Sequence, residues 1–440
     1  MKKDSKNETL QLFRKGTPKV GVMGLGYVGL PLALTFAETG IPVVGFDIDE
    51  RKCKILKRGG SYLSTVDGTR SKKAIDSQLL TPTSDFSLLG ECDAILICVP
   101  TPLGDSQEPD LKYVRMTAEQ IAGELRPNQL IVLESSTYPG TTEEIVRDIL
   151  ERSNKECGKD FWVGYSPERE DPGNPNFTTS SIPKLVSGMD AFSGDLVEAL
   201  YRRAFKKVIR VSHVRVAEAA KIVENVYRAV NIALVNELKI VFEAMNIDVW
   251  EVIDAAASKP FGFQAFYPGP GLGGHCIPID PFYLTWKAKE HGIPTHFIET
   301  AGHINTAMPM RIVRRTQDVL NDAGKPLRGS KVLLLGVAYK SGVSDTRESP
   351  GLELLHLLRK AGAKVDYHDP MVPKLEPTRK HQFELESVEL SEATVKKYDL
   401  VLLATVQPQM DLALIARSAK SIVDTRNAFA KFPKAPVTKA

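Results

Sequence analysis

The chain has 440 residues, of which 42% are hydrophobic and 25% charged, a balance typical of a globular protein with two or three domains. Its 57 basic and 54 acidic residues give a formal net charge of +3, which provides no general attraction to nucleic acid or to a membrane surface. No apolar stretch is long enough to span a bilayer, and the basic N-terminus lacks the apolar core of a secretory signal.

The five cysteines are scattered through the chain, odd in number and without a CxxC pair. This pattern indicates a reduced, cytoplasmic protein with neither a disulfide framework nor a zinc site, so no metal is expected. The cysteines are Cys53, Cys92, Cys98, Cys157 and Cys276.

The N-terminal half alternates predicted strands and helices. A short apolar run at residues 19–23 ends in a glycine turn, a helix follows over residues 30–39, and the next strand covers residues 41–49. The apolar stretches CDAILICVP and QLIVLESST predict two further buried strands. Strands that alternate with helices in this way predict a parallel sheet built from βαβ units.

The turn after the first strand has the spacing Gly24-x-Gly26-x-x-Gly29. The first glycine allows a tight turn, the second lets a pyrophosphate approach the backbone at the helix N-terminus, and the third allows close helix–strand packing. Asp47 ends the next strand 23 residues after Gly24, where a carboxylate accepts hydrogen bonds from a ribose 2′-OH and disfavours a 2′-phosphate. The pattern therefore predicts an NAD site, with Asp49 as the alternative acidic residue.

Two threonines follow later strands of this half. Thr101 lies in VPTP and Thr137 in ESST. Ligands of such sheets bind beyond the carboxyl ends of the strands, so either threonine is a candidate to face a nicotinamide, and either is equally compatible with a plain turn.

A long stretch from Val214 contains neither Gly nor Pro and predicts a central helix. Glu218, Lys221, Asn225 and Arg228 fall at i, i+3, i+7 and i+10 on one face, while the neighbouring positions are apolar. A stripe facing bulk water is the simpler interpretation. A helix this apolar should nevertheless be buried on most sides, and its polar stripe then needs partners, which a substrate cleft would supply.

A Gly- and Pro-rich segment at residues 259–281 contains the sequence GLGGHCIPID. Its Cys276 is a candidate nucleophile, metal ligand or small turn residue. Metal binding lacks partner ligands at suitable spacing, and nothing in the sequence orients the adjacent His275 as a base.

A second βαβ pattern follows a linker at residues 323–330, with strands predicted at KVLLLGVAYK, AKVDYHDP, YDLVLLATV and SIVDTRN. The glycine fingerprint is absent from its first turn, which instead offers Lys340 and Arg347. Cations at this place suit a phosphorylated ligand, although a solvated loop with scattered charges fits equally well.

The predicted fold is therefore α/β, with two Rossmann-like doubly wound domains joined by a central helical domain that contains a long helix. We expect an NAD-binding domain at residues 1–212, a helical domain with the glycine-rich loop at 213–325, and a second Rossmann-like domain at 326–440.

Six motifs occur in order along the chain: GxGYVGLP, ESST, SPERE, the Lys–Asn helix, GGHCxPxD and YKxxxxDTRES. Together they resemble the UDP-glucose/GDP-mannose dehydrogenase family over residues 18–427. The resemblance implies NAD-dependent, four-electron oxidation of the C6 alcohol of a UDP-sugar to a carboxylate. It also implies a homodimer or larger homo-oligomer formed through the long helix.

The same resemblance assigns roles to residues. Cys276 would form the thiohemiacetal and thioester, and Lys221 and Asn225 would stabilise the oxyanion, with Lys221 also handling a proton. Asp280 would help to activate water, and Glu168 would lie near the same chemistry. The identity of the residue that accepts the proton in the first oxidation stays open.

The resemblance also implies binding residues. Implied NAD contacts are Gly24, Gly26, Tyr27, Val28, Gly29, Asp47, Lys52, Thr101 and Thr137, of which Thr137 also counts as catalytic. Implied substrate contacts are Arg169, Glu170, Lys221, Asn225, Arg228, Gly273, Tyr339, Lys340 and Arg347.

The stretches SPEREDPGN and YPGPGLGGHCIPIDP look most like those of members that act on UDP-N-acetylglucosamine. Members that use UDP-glucose usually have a lysine where this chain has Ile279, and often an arginine within the stretch that reads KPFGFQAFYPG here. UDP-glucose is therefore disfavoured, whereas UDP-N-acetylmannosamine stays possible. Two hypotheses of other classes are a two-electron 3-hydroxyacid-type dehydrogenase and a non-catalytic NAD-binding protein.

Overall fold

The structure is a computed structural model that describes residues 3–63, 65–104, 107–169, 178–274, 276–378 and 380–440. Glu170 and His275, both considered above, lie outside the described residues. The chain forms two compact units. The first contains Met1–Glu224 and Phe282–Ile293, and the second contains Asn225–Pro281 and Pro294–Ala440. The predicted division into three domains stays a prediction.

The first unit is built on an eight-stranded sheet with the order β3-β2-β1-β4-β5-β6-β7-β8. Neighbouring strands are parallel except β6 and β7. The order of the first six strands is that of a dinucleotide-binding Rossmann sheet, which confirms the predicted fold class. The strands are β1 (Val20–Met23), β2 (Val43–Phe46), β3 (Leu80–Thr83), β4 (Ala94–Ile97), β5 (Leu130–Leu133), β6 (Trp162–Tyr165), β7 (Lys184–Gly188) and β8 (Val208–Arg210).

Helices pack against this sheet, and the central strands AILI and LIVL are fully buried, as expected where a parallel sheet has both faces covered. A hydrophobic core extends from Phe13 through Leu30 and Leu96 to Trp162 and Tyr201. The helices are α1 (Lys3–Lys15), α2 (Gly29–Ala37), α3 (Glu50–Lys57), α4 (Gly68–Asp76), α5 (Lys112–Glu124), α6 (Asp148–Glu151) and α7 (Ala191–Tyr201), with a 3₁₀ helix at Phe86–Glu91 and a π-helical segment at Thr142–Arg147.

The middle of the chain is helical, as predicted. The helices are α8 (Val214–Ala244), α9 (Val249–Ala257), α10 (Asp280–Glu290) and α11 (His296–Asp322). The Gly/Pro-rich segment between α9 and α10 has no regular secondary structure in its described residues. Across the described residues, no helix is both long and apolar enough to cross a membrane.

The second unit contains a five-stranded parallel sheet with the order β10-β9-β11-β12-β13. Alternate residues of β9 face different cores, because side chains on a strand alternate between the two sides of the sheet: Val332 and Leu334 join one cluster, and Leu333 and Leu335 the other. This second Rossmann-like sheet was predicted, except for β13. Its elements are β9 (Lys331–Leu335), α12 (Pro350–Lys360), β10 (Lys364–His368), α13 (Glu392–Val395), β11 (Leu400–Leu403), α14 (Leu412–Ser418), β12 (Ile422–Asp424) and β13 (Val437–Lys439).

Candidate active site

The glycine fingerprint of the first unit has the geometry that its spacing predicts. Gly24 has a φ of +91°, and a Cβ there would lie 2.7 Å from the carbonyl oxygen of Cys98. A Cβ on Gly29 would overlap the carbonyl oxygen of Gly24, whereas a Cβ on Gly26 would meet nothing within 4 Å. Gly24 and Gly29 are therefore needed for the turn and its packing, and Gly26 leaves an open approach to the backbone, where a phosphate can bind.

The two acidic residues after β2 have different partners. Asp47 is buried beside the glycine turn: its Oδ2 accepts from Leu25 N at 3.0 Å and from Lys52 Nζ at 2.9 Å. Asp49 instead caps α3 and pairs with Arg51, and hydrogen bonds from Arg51 lower the pKa of its carboxyl to about 2. Asp47 thus contacts the glycine turn, whereas Asp49 caps a helix, and the ribose-binding role of Asp47 stays a prediction.

The strand-end threonines are held by the backbone between β4 and β5. Thr101 Oγ1 donates to Ser136 O at 2.8 Å, and the hydroxyl of Tyr283 on α10 donates to Thr101 O. Thr137 is completely buried, and its Oγ1 has no hydrogen-bond partner among the described residues. A buried hydroxyl without a partner is unusual and indicates a place where a bound group would supply one.

Lys221 of α8 faces the SPE turn that follows β6. Its Nζ lies 3.4 Å from Glu168 Oε2, and both side chains are largely buried. Arg169, the next residue, donates through Nε to Glu224 Oε1 at 2.9 Å and through Nη1 to Pro183 O at 2.9 Å. The first unit thus brings together the lysine and the glutamate that the resemblance placed in the chemistry.

Glu218, the first member of the polar stripe on α8, has a structural partner. Its carboxylate accepts from Gly140 N at 2.6 Å, from Thr142 N at 2.9 Å and from Thr142 Oγ1 at 2.6 Å. Burial raises the pKa of this carboxyl to about 7, against the opposing effect of these donors. This part of the stripe therefore binds a loop of its own unit.

In the second unit, Cys276 and Asp280 lie at the two ends of one turn. Asp280 N donates to Cys276 O at 2.8 Å, so Cys276 occupies the start of the turn that leads into α10. Asn225 of α8 donates through Nδ2 to Asp280 Oδ2 at 2.6 Å, with both side chains buried. Asn225 and Asp280, 55 positions apart in sequence, are therefore in direct contact.

The glycine loop before Cys276 packs on the loop after β9. A Cβ on Gly273 would lie 2.7 Å from Tyr339 Cβ, and Gly274 N donates to Arg347 O at 3.3 Å. Arg347 Nε donates to Asp345 Oδ1 at 2.9 Å. The structure thus brings Gly273, Tyr339 and Arg347 together, with Lys340 next to Tyr339 in the chain, whereas Arg228 is exposed on α8.

Two residues beside this loop were not identified from the sequence. Asn236 of α8 accepts from Gly269 N at 3.0 Å, and the Arg426 guanidinium lies against Gly269. Burial lowers the pKa of Arg426 to about 10. Arg426 lies two residues after the end of β12. A cation just after the acidic end of a strand was therefore the signal that the sequence offered.

With this geometry in place, comparison with known proteins assigns the family. Residues 18–205 match the NAD binding domain of the UDP-glucose/GDP-mannose dehydrogenase family, residues 215–307 its central domain, and residues 333–431 its UDP binding domain. The chain belongs to this family. It is an NAD-dependent nucleotide-sugar dehydrogenase, an oxidoreductase, as the motif set predicted.

Three relatives illustrate the range of this similarity. The UDP-N-acetyl-D-glucosamine 6-dehydrogenase of Pseudomonas aeruginosa is 37% identical over 80% of this chain and 83% of its own length. The UDP-N-acetyl-D-mannosamine dehydrogenase of Pyrococcus horikoshii is 32% identical over 93% and 95%. The solved structure of a UDP-glucose dehydrogenase from Pyrobaculum islandicum aligns with a TM-score of 0.85 at 27% identity over 97% and 98%. The sugar therefore differs among these relatives.

The first unit of this dehydrogenase fits the cofactor that its family uses. Gly26 leaves the helix N-terminus open to a pyrophosphate, the Asp47 carboxylate lies at the turn where a ribose hydroxyl needs an acceptor, and Thr137 has a hydroxyl to offer. An acidic residue at that place favours NAD over its 2′-phosphorylated form.

Proposed function

We propose that this dehydrogenase oxidises the C6 alcohol of UDP-N-acetylglucosamine to the uronate and consumes two NAD per sugar. The observation that carries the proposal is the turn from Cys276 to Asp280, whose far end is held by Asn225 at 2.6 Å. A thiol at one end of a turn and a fixed carboxylate at the other suit covalent catalysis followed by hydrolysis.

Cys276 acts as the nucleophile after the first oxidation. An aldehyde carbon does not readily lose a hydride, so the Cys276 thiolate adds to it, and the carbonyl electron pair moves to oxygen, which takes up a proton. The resulting thiohemiacetal loses the hydride of its C–H bond and the proton of its hydroxyl to give a thioester. Water then attacks the thioester carbon, the C–S bond breaks, and the thiolate leaves from the carboxylic acid. Bound NAD supplies the hydride acceptor for both oxidations.

Four polar side chains take part in this series of reaction steps. The amide of Asn225 and the ammonium of Lys221 stabilise the developing oxyanion. Glu168, paired with Lys221 at 3.4 Å, takes part in proton transfer with it. Asp280, oriented by Asn225, positions the hydrolytic water.

We assign binding by domain, with cofactor residues in 1–212, the catalytic loop in 213–325 and UDP contacts in 326–440. Gly26, Asp47 and Thr137 hold NAD, with Lys52 and Thr101 beside them. Arg426 is added to the substrate contacts because its buried guanidinium lies at the carboxyl end of a strand against the glycine loop. The remaining substrate contacts are Arg169, Glu170, Arg228, Gly273, Tyr339, Lys340 and Arg347.

The choice of sugar rests on the loop sequences and on the relatives. Ile279 stands where members that use UDP-glucose usually have a lysine, and the 37% identity to a UDP-N-acetyl-D-glucosamine 6-dehydrogenase supports the acetylated sugar. UDP-N-acetylmannosamine is the second candidate, because relatives with that name match the chain over most of its length.

We also propose that two copies associate through α8. Tyr227, Leu234 and Val241 recur every seven residues along this helix, and their side chains are 49%, 50% and 45% exposed. An apolar stripe at this spacing fits a second copy of the same helix.

All five cysteines carry thiols rather than disulfides, which fits the cytoplasm.

The test is the stoichiometry and substrate range of the purified protein. We expect two NADH per UDP-N-acetylglucosamine consumed, and the highest kcat/KM for this sugar among UDP-N-acetylmannosamine, UDP-glucose and GDP-mannose. A ratio of one NADH per sugar would exclude the thioester route, and a preference for another sugar would correct the substrate.

A further inference from the structure

A buried ion pair lies beneath the turn that presents Glu168. Lys184, the first residue of β7, places its Nζ 2.6 Å from Oε2 of Glu134, which follows β5. Both side chains are buried. The same ammonium donates to Pro167 O at 3.0 Å, the carbonyl that directly precedes Glu168. One cation therefore joins a buried carboxylate to the backbone of the SPE turn.

The other side of this pair is also held. The hydroxyl of Tyr201 on α7 donates to Oε1 of Glu134. Burial raises the pKa of Tyr201 well above its ordinary value, so the hydroxyl keeps its proton and stays a donor. Ser166, two residues before Glu168, donates to Leu185 O at 2.7 Å. The turn is thus anchored by both its backbone and a side chain.

Glu134, Lys184, Glu168 and Arg169 line one cavity of about 20 Å³ inside the first unit. Burial raises the pKa of the Glu134 carboxyl, and the Lys184 ammonium is the largest influence that opposes this rise. The repulsion between Glu134 and Glu168 acts in the same direction as burial. The charged and titratable groups around Glu168 in the described part of the unit include Glu134, Arg169, Lys184, Tyr201 and Lys221.

We propose that Lys184 and Glu134 are positioning residues: their ion pair fixes the turn that presents Glu168 and holds Glu168 against Lys221 during the reaction. This inference rests on the proposed function, which gives Glu168 and Lys221 their chemical roles. Two carboxylates in one poorly solvated cavity do not both stay ionised without compensating cations, because like charges raise each other's proton affinity. Lys184 supplies that compensation and fixes the turn.

The test is the pH dependence of kcat with UDP-N-acetylglucosamine and NAD. The acidic limb of this pH profile is assigned to Glu168 because it should disappear in the Glu168→Gln variant. In Lys184→Met, we expect the acidic limb to move to higher pH by about one unit or more, because Glu134 is no longer neutralised. In Glu134→Gln, it should move to lower pH, because Lys184 then faces Glu168 alone. A general loss of protein stability would not move the acidic limb in opposite directions in these two variants.

A double variant and a matched control complete the test. Lys184→Met/Glu134→Gln removes both charges and should return the limb towards the wild-type position, and it also serves if Lys184→Met does not fold. Lys239→Met breaks another lysine–glutamate pair, in which a buried lysine of α8 lies 3.5 Å from the half-buried Glu243. It should lower the melting temperature without moving the limb.

Limbs that coincide with wild type, or that move in the same direction in both single variants, would overturn the inference and leave a merely structural ion pair. If the wild-type protein reduces NAD with none of the nucleotide sugars, the proposed function fails instead. The inference is then decided by the carboxyl-¹³C titration of Glu168 in the same variants, which should show the same opposite shifts.

Discussion

At the scale of single residues, the five cysteines of this chain occupy different environments. Cys157 is half-buried beside β6, and burial raises the pKa of its thiol to about 12. Cys276 instead lies in a glycine-rich loop at the start of a turn that ends in a fixed carboxylate. Their surroundings, rather than the residue type, make only Cys276 a candidate nucleophile.

Replacing the proposed nucleophile should separate the two oxidations. In Cys276→Ala, we expect carboxylate formation to fall by more than about a thousandfold, because the aldehyde has no thiol to convert it into a hydride donor. Quantification of NADH and of the sugar acid by mass spectrometry provides the measurement. Cys157→Ala, the matched control, should form the acid at the wild-type rate. Full turnover in Cys276→Ala would instead favour a two-electron dehydrogenase.

At the scale of secondary structure elements, the polar residues of α8 contact different parts of the chain. Glu218 accepts three hydrogen bonds from the loop at Gly140 and Thr142, and Lys221 pairs with Glu168. Asn225 holds Asp280. The helical period places these side chains on one face, but the partner of each is decided by the loop that reaches it.

Glu218 makes stability depend on pH in a defined direction. Its folded pKa of about 7 exceeds the ordinary value, so the folded chain binds this proton more tightly than the unfolded chain does. The stabilisation from this proton is complete below the ordinary carboxyl pKa and is lost as the pH rises through 7. The melting temperature of wild type relative to Glu218→Gln should therefore fall by about 3 °C or more between pH 5 and pH 8.

The control for this prediction is Glu237→Gln, which alters an exposed glutamate of the same helix. Its melting temperature relative to wild type should stay constant across the same range. A constant difference for Glu218→Gln as well would show that this carboxylate is ionised throughout, with its three donors outweighing burial.

At the scale of the whole molecule, the proposed association through α8 rests on side chains that the fold leaves exposed. Leu234→Glu places a charge in the middle of the stripe formed by Tyr227, Leu234 and Val241, and its burial between two helices would be costly. We expect the mass measured by light scattering to fall from two copies to one. Met116→Glu changes an equally exposed apolar residue on α5, 55% exposed, and should leave the mass unchanged.

The sequence alone was sufficient to predict the fold class, because the fold class follows from local sequence patterns. Alternation of apolar runs with helical stretches predicted β1, β2, β4 and β5 of the first sheet and β9 to β12 of the second, and the spacing of Gly24, Gly26 and Gly29 predicted the turn that the structure contains. Strands β3, β6, β7 and β8 of the first sheet were not predicted. The short strand β13 was also missed, because three half-buried residues near the C-terminus have no distinctive pattern. Its strand geometry depends on pairing with β12.

The sequence motifs named the candidate site residues Cys276, Lys221 and Asn225, whose catalytic roles stay predictions. Tertiary structure alone decided their partners: Asp280 for Asn225, Glu168 for Lys221, and the Gly140 loop for Glu218. It also revealed the position of Arg426 beside the glycine loop and the Glu134–Lys184 pair, a contact that no local pattern marks. The physical reason is range: periodicity and turn chemistry act between neighbours in the chain, whereas burial and hydrogen bonding depend on residues that only folding brings together.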